Sequence, residues 1–493
     1  PEAKLHISGR VYQDGLGGST FFGFEAGKAD DLSANNNAAF GYQALYTNTT
    51  GASNTAVGYV ALNKNTTGAS NTAAGNYALY NNTTGSFNTA AGDGALVNNT
   101  TASNNTATGY VSLRNNTTGA NNTATGNGAL RSNTTGAYNT ATGYRSLYLN
   151  TTGSYNTANG NNALYSNTTG AYNTANGYQP LYINTTGAYN TATGYRSLFA
   201  NTTGSANTAT SYQALRYNTT GASNTAVGFQ ALLSNTTASY NTAVGRDALV
   251  FNTTASYNTA NGYKALNTNT TGQYSSAFGA NALYSQTTGG SNAASGYRAL
   301  YNVTTGTNNT GVGYQALHNI TTTDENTAVG HQAGRYYGTT TNVTTAVRST
   351  FIGSATKASA NGISNEIVIG FGAVGQGADT VMLGGASSTG GVFAYSAYNE
   401  LSDQSVKENV VTIGNALSKV KAMRGVTYNK IGSTEGRVGV IAQEMELVLP
   451  EVVAEGSTGL KSVAYGNIVA VLIEAMKEQQ VRIEALEAQL NNQ

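Results

Sequence analysis

Several residues in this 493-residue chain have types and spacings that invite a chemical reading, and most of them fail it. Three histidines, His6, His318 and His331, lie too far apart for any metal-ligand spacing. Glycoside hydrolysis needs two carboxylates flanking one bond. Between Phe40 and Thr323 the acids are only Asp93 and Asp247, nine repeats apart, which argues against a depolymerase. Gly370-Phe371-Gly372-Ala373-Val374-Gly375 spells a dinucleotide fingerprint after a strand-like run. The following Gln376-Gly377-Ala378-Asp379 opens no helix, and no βαβ unit surrounds it, so turns are expected there instead. Asn-Thr-Thr recurs every seventeenth residue from Asn48 to Asn269. This matches the N-glycosylation acceptor pattern, but stacked asparagines that hydrogen-bond along a ladder are the better reading. No cofactor and no metal are expected.

Surface recognition survives this first pass. Tyrosines fall into columns, one of them Tyr144, Tyr178, Tyr195 and Tyr212, another Tyr138, Tyr155, Tyr172 and Tyr189. Such ladders either face a carbohydrate or protein partner or simply cover a narrow core. Arg145, Arg196 and Arg298 share a column with Lys264, where they either meet anionic glycans or serve solubility.

These residues are positioned by a repeat. Stepping by 17 from Gly41 to Gly330 gives eighteen positions, seventeen of them glycine, with Ser211 the exception. The same step from Leu45 to Leu317 gives leucine at all seventeen positions. A unit this short cannot bury a core alone, so the units must stack. Asn, Thr and Gly disfavour helix. Two short strands per coil, with a tight turn at each glycine, fit better. The Leu and the Ala of Asn-Thr-Ala are expected to face inward. Groups this small make a thin core, which three stacks sharing an axis would reinforce.

Composition agrees. Charged residues are 10% of the chain, with 60 glycines, three prolines and no cysteine or tryptophan; ordinary domains carry about 25% charge. Nine cations spread from Lys64 to Arg298 are too sparse for nucleic-acid binding. No apolar run reaches 18 residues, so no membrane insertion is expected. The opening Pro1-Glu2-Ala3-Lys4-Leu5-His6-Ile7 is not a signal peptide, and further residues are expected upstream of it.

Near Glu400 the composition changes: twelve of the 23 acids lie between Glu400 and Glu487. Residues 466–491 read as one helix. Val469, Leu472, Met476, Gln479, Ile483, Leu486 and Leu490 alternate steps of three and four, a coiled-coil seam.

Two resemblances follow. The Asn-Thr-Ala-x-Gly unit, over about residues 19–384, is similar to a lengthened form of the head repeats of trimeric autotransporter adhesins, which are parallel β-rolls. In Ile367-Val368-Ile369-Gly370 and Val381-Met382-Leu383-Gly384 the glycines are 14 apart, as in those heads. About residues 400–490 resemble the self-cleaving intramolecular chaperone, of endosialidase type, of phage tailspikes and tail fibres. Ser402-Asp403-Gln404-Ser405-Val406-Lys407-Glu408-Asn409-Val410 is similar to its Ser-Asp-x-Arg-Leu-Lys-x-Asn-Ile start, with Ser405 and Val406 departing. Gly439-Val440-Ile441-Ala442-Gln443-Glu444, Pro450-Glu451-Val452-Val453, and Tyr465 with Leu472 to Glu478 carry the rest. The resemblance implies that Ser402 attacks the Leu401 carbonyl, with Lys407 as base, and that the block trimerises the chain.

The expected protein is mainly β. A connector (1–18) leads into a trimeric shaft of stacked parallel β-roll coils (19–340) and a distal β-roll with 14-residue-like repeats (341–398). A small α+β chaperone (399–493) ends in a coiled-coil helix. The expected function is a homotrimeric, extracellular, receptor-binding fibre or adhesin of a phage tail, a phage-like device or a bacterial surface. Its partners would be its own copies and a glycan or protein on a host or prey cell. The alternatives are a depolymerising tailspike and an ice-binding rod, the latter because repeated threonines form a regular array.

Overall fold

A computed structural model of the chain describes residues 11–13, 18–31, 34–338, 340–385, 404–431, 434, 436–455 and 459–492. The chain divides into two compact units, Pro1–Glu325 and Asn326–Gln493.

The first unit is a parallel β-solenoid. A short strand, Val11–Gln13, pairs antiparallel with Thr20–Phe22. From Thr20–Phe22 to Thr310–Val312, each coil then contributes one three-residue strand, in register with the next. Thr157, Ala158 and Asn159 pair with Thr174, Ala175 and Asn176, for example. The central alanine is fully buried in nearly every strand, while its neighbours point outward. Alternation of period two places them so. Alanine suits the inner position because the coil is narrow, and threonine outside is β-branched and favours the strand.

After each strand the chain turns on glycine. Gly58 has φ of 140°, and a Cβ there would lie 2.4 Å from the carbonyl oxygen of Gly75 in the next coil. Backbone hand and crowding both select glycine. Ser211 meets this constraint by relaxing to φ of 113°.

The expected second strand is absent; a turn of six residues replaces it. Its cause lies in the backbone. All seventeen column leucines have left-handed φ, between 47° and 55°. So does the residue two before each, as at Gln43, Arg145 and Lys264. These inversions break the pleat, but they aim N–H groups along the stack. The Leu62 N–H donates to the Ala78 carbonyl in the next coil, and that of Val60 to Tyr42 in the previous one, both at 2.9 Å. Left-handed leucine costs about 1–2 kcal/mol, which burial of about 1.5–3 kcal/mol per side chain offsets. Every one of the seventeen is fully buried.

Two asparagine ladders complete the interior. In the first, each Asn-Thr-Thr asparagine donates to its counterpart one coil earlier and to a carbonyl three residues ahead. Asn167 Nδ2 reaches Asn150 Oδ1 and the Gly170 carbonyl, both at 2.8 Å. In the second, the Oδ1 of each Asn-Thr-Ala asparagine accepts a backbone N–H of the next coil, as Asn173 does from Asn190 at 3.0 Å. Both sets are fully buried through the middle of the stack, so they hold the fold and are closed to glycan attachment.

The first ladder has a direction, and its start reflects it. At the first coil the position is Asp30, an acceptor only, whose Oδ2 receives Asn48 Nδ2 at 3.3 Å and Asn37 Nδ2 at 3.0 Å. Near the other end Gln286 replaces asparagine while Ser275 replaces the asparagine facing it. The longer side chain fills the space left by the shorter, and Gln286 Nε2 still reaches Asn269 Oδ1 at 3.1 Å and Ser275 Oγ at 3.1 Å. Breaking the ladder has a defined consequence. Asn167→Ala removes the donor to Asn150 and Gly170 and the acceptor for Asn184. Each buried group left unpaired costs about 1–3 kcal/mol. A thermal melt of the variant should fall by several degrees, whereas Thr169→Ala, at a more exposed neighbouring position, should leave it nearly unchanged.

In the second unit, strand Thr327–Val329 pairs with Thr350–Ile352, then Ile367–Ile369 and Val381–Leu383 follow in parallel register. A hairpin, Tyr336–Tyr337 with Thr341–Asn342, occupies the lengthened first interval. The segment after Ile369 forms turns, as expected for the glycine-rich run.

The rest of this unit is α+β. Helix α1 (Ala416–Ala422), helix α2 (Ala442–Val448) and the long helix α3 (Tyr465–Asn491) accompany two antiparallel hairpins. Val426–Asn429 pairs with Gly436–Gly439, and Val453–Glu455 with Lys461–Val463. Ala416, Met445, Leu449, Val452, Val471 and Ala475 form its core.

Candidate functional site

The C-terminal region brings the motifs at 439–444 and 450–453 together near Tyr465. The first hairpin ends at Gly439, α2 begins at Ala442, and α3 begins at Tyr465. The Tyr465 hydroxyl accepts the Val440 N–H at 3.0 Å. A Cβ on Gly439 would lie 2.5 Å from that hydroxyl, so the close approach needs glycine at this point. An open cleft of about 280 Å³ lies beside it, lined by Tyr428, Ile441, Gln443, Lys461 and Tyr465 among others. Arg424 Nε donates to Glu444 at 3.0 Å on the outer side of α2, and the pair holds the Glu444 carboxyl below its usual range.

Helix α1 lacks a side-chain cap of its own, because Asn415 is left-handed and makes no capping bond. Glu478 on α3 supplies it from a distance. Its two oxygens accept the N–H groups of Ala416 and Leu417, both at 2.9 Å. These bonds, Leu417's first and Ala416's second, lower the pKa of the carboxyl. The helix N-terminus thereby fixes α1 against the middle of α3.

Helix α3 has two apolar faces. Val471 and Ala475 turn into the chain's own core. Val469, Leu472, Met476, Ile483, Leu486 and Leu490, the apolar residues of the expected seam, are all exposed. Met476 is 72% exposed and Leu490 75%, and together with the others they form an exposed apolar stripe, of the kind that marks an interaction surface. The helix spans the expected range and starts one residue earlier than the sequence suggests.

Of the two expected catalytic residues, Lys407 is described: it is exposed and follows a one-turn 3-10 helix, Gln404–Val406. Its N–H donates to the Gln404 carbonyl at 3.2 Å. Leu401 and Ser402 lie outside the described residues.

A second surface runs along the first unit. Tyrosines stack coil upon coil with nearly parallel rings. Tyr138, Tyr155, Tyr172 and Tyr189 are 4.9–5.0 Å apart with planes within 3°. Tyr178, Tyr195, Tyr212 and Phe229 form a second ladder at 5.0–5.4 Å. Ring faces inside a ladder are covered by their neighbours, so the ladders present edges and hydroxyls outward.

Sequence reasoning missed where the charges lie relative to these ladders. Between Gly41 and Thr323 all eleven charged side chains fall in the six residues after the glycine position of a coil. They are Lys64, Asp93, Arg114, Arg131, Arg145, Arg196, Arg216, Arg246, Asp247, Lys264 and Arg298. The other eleven positions carry none, so all the charge of the stack lies on one side, and the rest, which includes the Tyr138 ladder, is uncharged. Counting offsets from each glycine would have shown this. Eight of the nine cations lie over an aromatic ring at 4.9–5.4 Å, Arg114 being the exception. Arg145, Arg196 and Arg298 each lie over two.

Comparison with known proteins adds to this geometry. Residues 402–454 match the family described as chaperone of endosialidase. The chain is 40% identical over 98 residues to the long tail fiber protein Gp37 of Enterobacteria phage K3, covering 18% of this chain and 8% of the phage protein. The corresponding protein of Enterobacteria phage T2 matches at 40% over 98 residues, 7% of its length. The chain therefore spans a small part of those relatives. Among the described residues, no helix is long and apolar enough to cross a membrane.

Proposed function

We propose that this chain is a homotrimeric, receptor-binding fibre of a phage tail, assembled by its C-terminal chaperone. The observation that carries the proposal is the pairing of two features in one chain. A solenoid of in-register coils is followed by residues 402–454, which match the chaperone family, and by α3, which bears an exposed apolar seam. Three copies of α3 packed through Val469, Leu472, Met476, Ile483, Leu486 and Leu490 would bury that seam as a coiled coil. The neutral sides of the coils are compatible with lateral packing of the same three chains, since no charge would be desolvated. The virion tail is the location this reading implies, and a glycan or protein of the host surface the partner. Purified fibre, added before virions, should compete for host cells and reduce adsorption in proportion to its concentration. Undiminished adsorption at saturating fibre would refute the receptor-binding role.

Self-cleavage belongs to the same reading. The Ser402 hydroxyl attacks the Leu401 carbonyl while Lys407 takes the hydroxyl proton. The acyl group moves to the Ser402 oxygen as the Leu401–Ser402 C–N bond breaks, and the protonated Lys407 returns the proton to the Ser402 nitrogen, which leaves as a free amine. Water then hydrolyses the ester and leaves the Leu401 carboxylate. A serine needs such a base, and a lysine serves once its pKa is lowered by burial. Lys407 is exposed in the single chain, so the reading requires neighbouring chains to cover it. Mass spectrometry of the purified protein should find a 92-residue fragment, Ser402 to Gln493. Ser402→Ala and Lys407→Ala should each yield full-length trimers. Persistently intact parent chains would rule cleavage out, and Ser405, where the family has arginine, would be the first position to restore.

A further inference from the structure

We infer that the charged turn of the solenoid is a lateral binding surface for an acidic, carboxylate-bearing polysaccharide. The inference deepens the proposed function and rests on it: it names the ligand class and places contact along the shaft.

Charge placement is the first observation. Seven cations, from Arg131 to Arg298, fall within eleven consecutive coils; the only acid among them, Asp247, pairs with Arg246 at 3.4 Å, which leaves six cations outside that pair. Coils repeat at about 4.8 Å, so neighbouring cations are about 5–15 Å apart along the stack axis, four of them in one column and the others beside it. A field of one sign on one side attracts a linear anion along its length.

The state of those cations is the second. A guanidinium lying over a ring loses mobility before any ligand arrives, which lowers the entropy cost of binding. Arg196 Nε already donates to Gln179 Oε1 at 2.9 Å, which holds the guanidinium further; its terminal N–H groups are the ones that would meet a carboxylate, in the planar geometry that arginine favours. Arg145 lies 5.0 Å from the Tyr144 ring and 5.3 Å from that of Tyr148; Arg298 holds 5.2 and 5.3 Å to Tyr297 and Tyr301.

The third is what lies between the cations. Tyr178, Tyr195 and Tyr212 are 37–43% exposed and stack at 5.1–5.4 Å, presenting ring edges and hydroxyls at coil spacing. Sugars offer hydroxyls and apolar C–H groups at similar density. A regular repeat of this kind suits a polymer better than a globular partner. Cations this sparse neutralise few phosphates of a duplex, which carries one charge about every 1.7 Å of axis over its two strands, so binding to DNA would be weak.

Full-length protein is titrated with polygalacturonate, with the same polymer fully methyl-esterified, and with duplex DNA, at low salt. Polygalacturonate should bind, weaken steeply with added salt, and bind at least about tenfold tighter than the ester or the DNA. The triple variant Arg145→Gln, Arg196→Gln, Arg298→Gln should lose at least about tenfold in affinity while its melting temperature confirms folding. Arg→Lys at the same sites should fall between, because charge remains without the planar fork. Equal binding by the triple glutamine variant, by the ester or by DNA overturns the inference, as does no binding to any probe. Fibre that blocks virion adsorption yet ignores polygalacturonate sinks this inference alone and leaves the fibre reading intact.

Discussion

Leu181→Asp should prevent the solenoid from folding cooperatively. Leu181 is fully buried and sits midway along the leucine column, between Leu164 and Leu198. Its backbone has φ of 51°, and its N–H donates to the Ser197 carbonyl of the next coil. Two effects oppose each other. Aspartate adopts the left-handed region more readily than leucine, which favours the variant by up to about 1 kcal/mol. Against this, an uncompensated buried charge costs at least about 3–5 kcal/mol, and the lost apolar burial adds about 1.5–3 kcal/mol. Burial wins by a wide margin. Because each coil touches only its neighbours, one failed coil divides the stack. Thermal unfolding followed by circular dichroism should show either no folded protein or two separate transitions at lower temperature. Leu181→Met, close in volume, should stay within a few degrees of the parent. A Leu181→Asp protein that melts within a degree or two of the parent would mean that the column does not form a core.

Much of this fold was legible in the sequence because a strict period leaves few solutions. Leucine at every seventeenth position and the small alanine of Asn-Thr-Ala could only face inward. Recurrent asparagine in a nearly uncharged chain could only be satisfied by its own copies. The seam on α3 was readable for the same reason, as a repeat of three and four. What escaped was whatever depends on backbone hand or on residues far apart. Nothing in leucine as a residue type announces φ near 50°, so the second strand of each coil was expected where a turn exists. Asp30 reads as an ordinary surface acid until the direction of the ladder makes it the terminal acceptor. Glu478 caps a helix more than sixty residues away, which no local pattern encodes. For the proposed cleavage site, sequence supplies Ser402 and Lys407, but residues five apart share no helix face, so no local pattern says whether a turn or a neighbouring chain would bring them together.

Deleting residues 402–493 before synthesis should abolish soluble trimer. The reason is degeneracy. Consecutive coils are nearly identical, so a slip of 17 residues between chains exchanges Leu for Leu, Asn for Asn and Gly for Gly. Such a slip keeps almost every contact and is opposed by almost no energy. Register between chains must therefore be set outside the repeats. The C-terminal region is the non-repetitive part with an exposed apolar seam, and a trimer formed there starts all three stacks from one point. Coils pair locally within a chain, but association of three chains is slower and depends on concentration, and unpaired edges aggregate while they wait. Chains lacking the region should appear as aggregates or monomers in size-exclusion chromatography with light scattering. Removing the region after assembly should do no such harm, since a fully stacked trimer has no low-barrier route to slip. The comparison is direct: one sample truncated in the gene, the other cut at Leu401 after folding. Soluble, heat-resistant trimers from the truncated gene would show that the repeats find their own register and that the C-terminal region is not their chaperone.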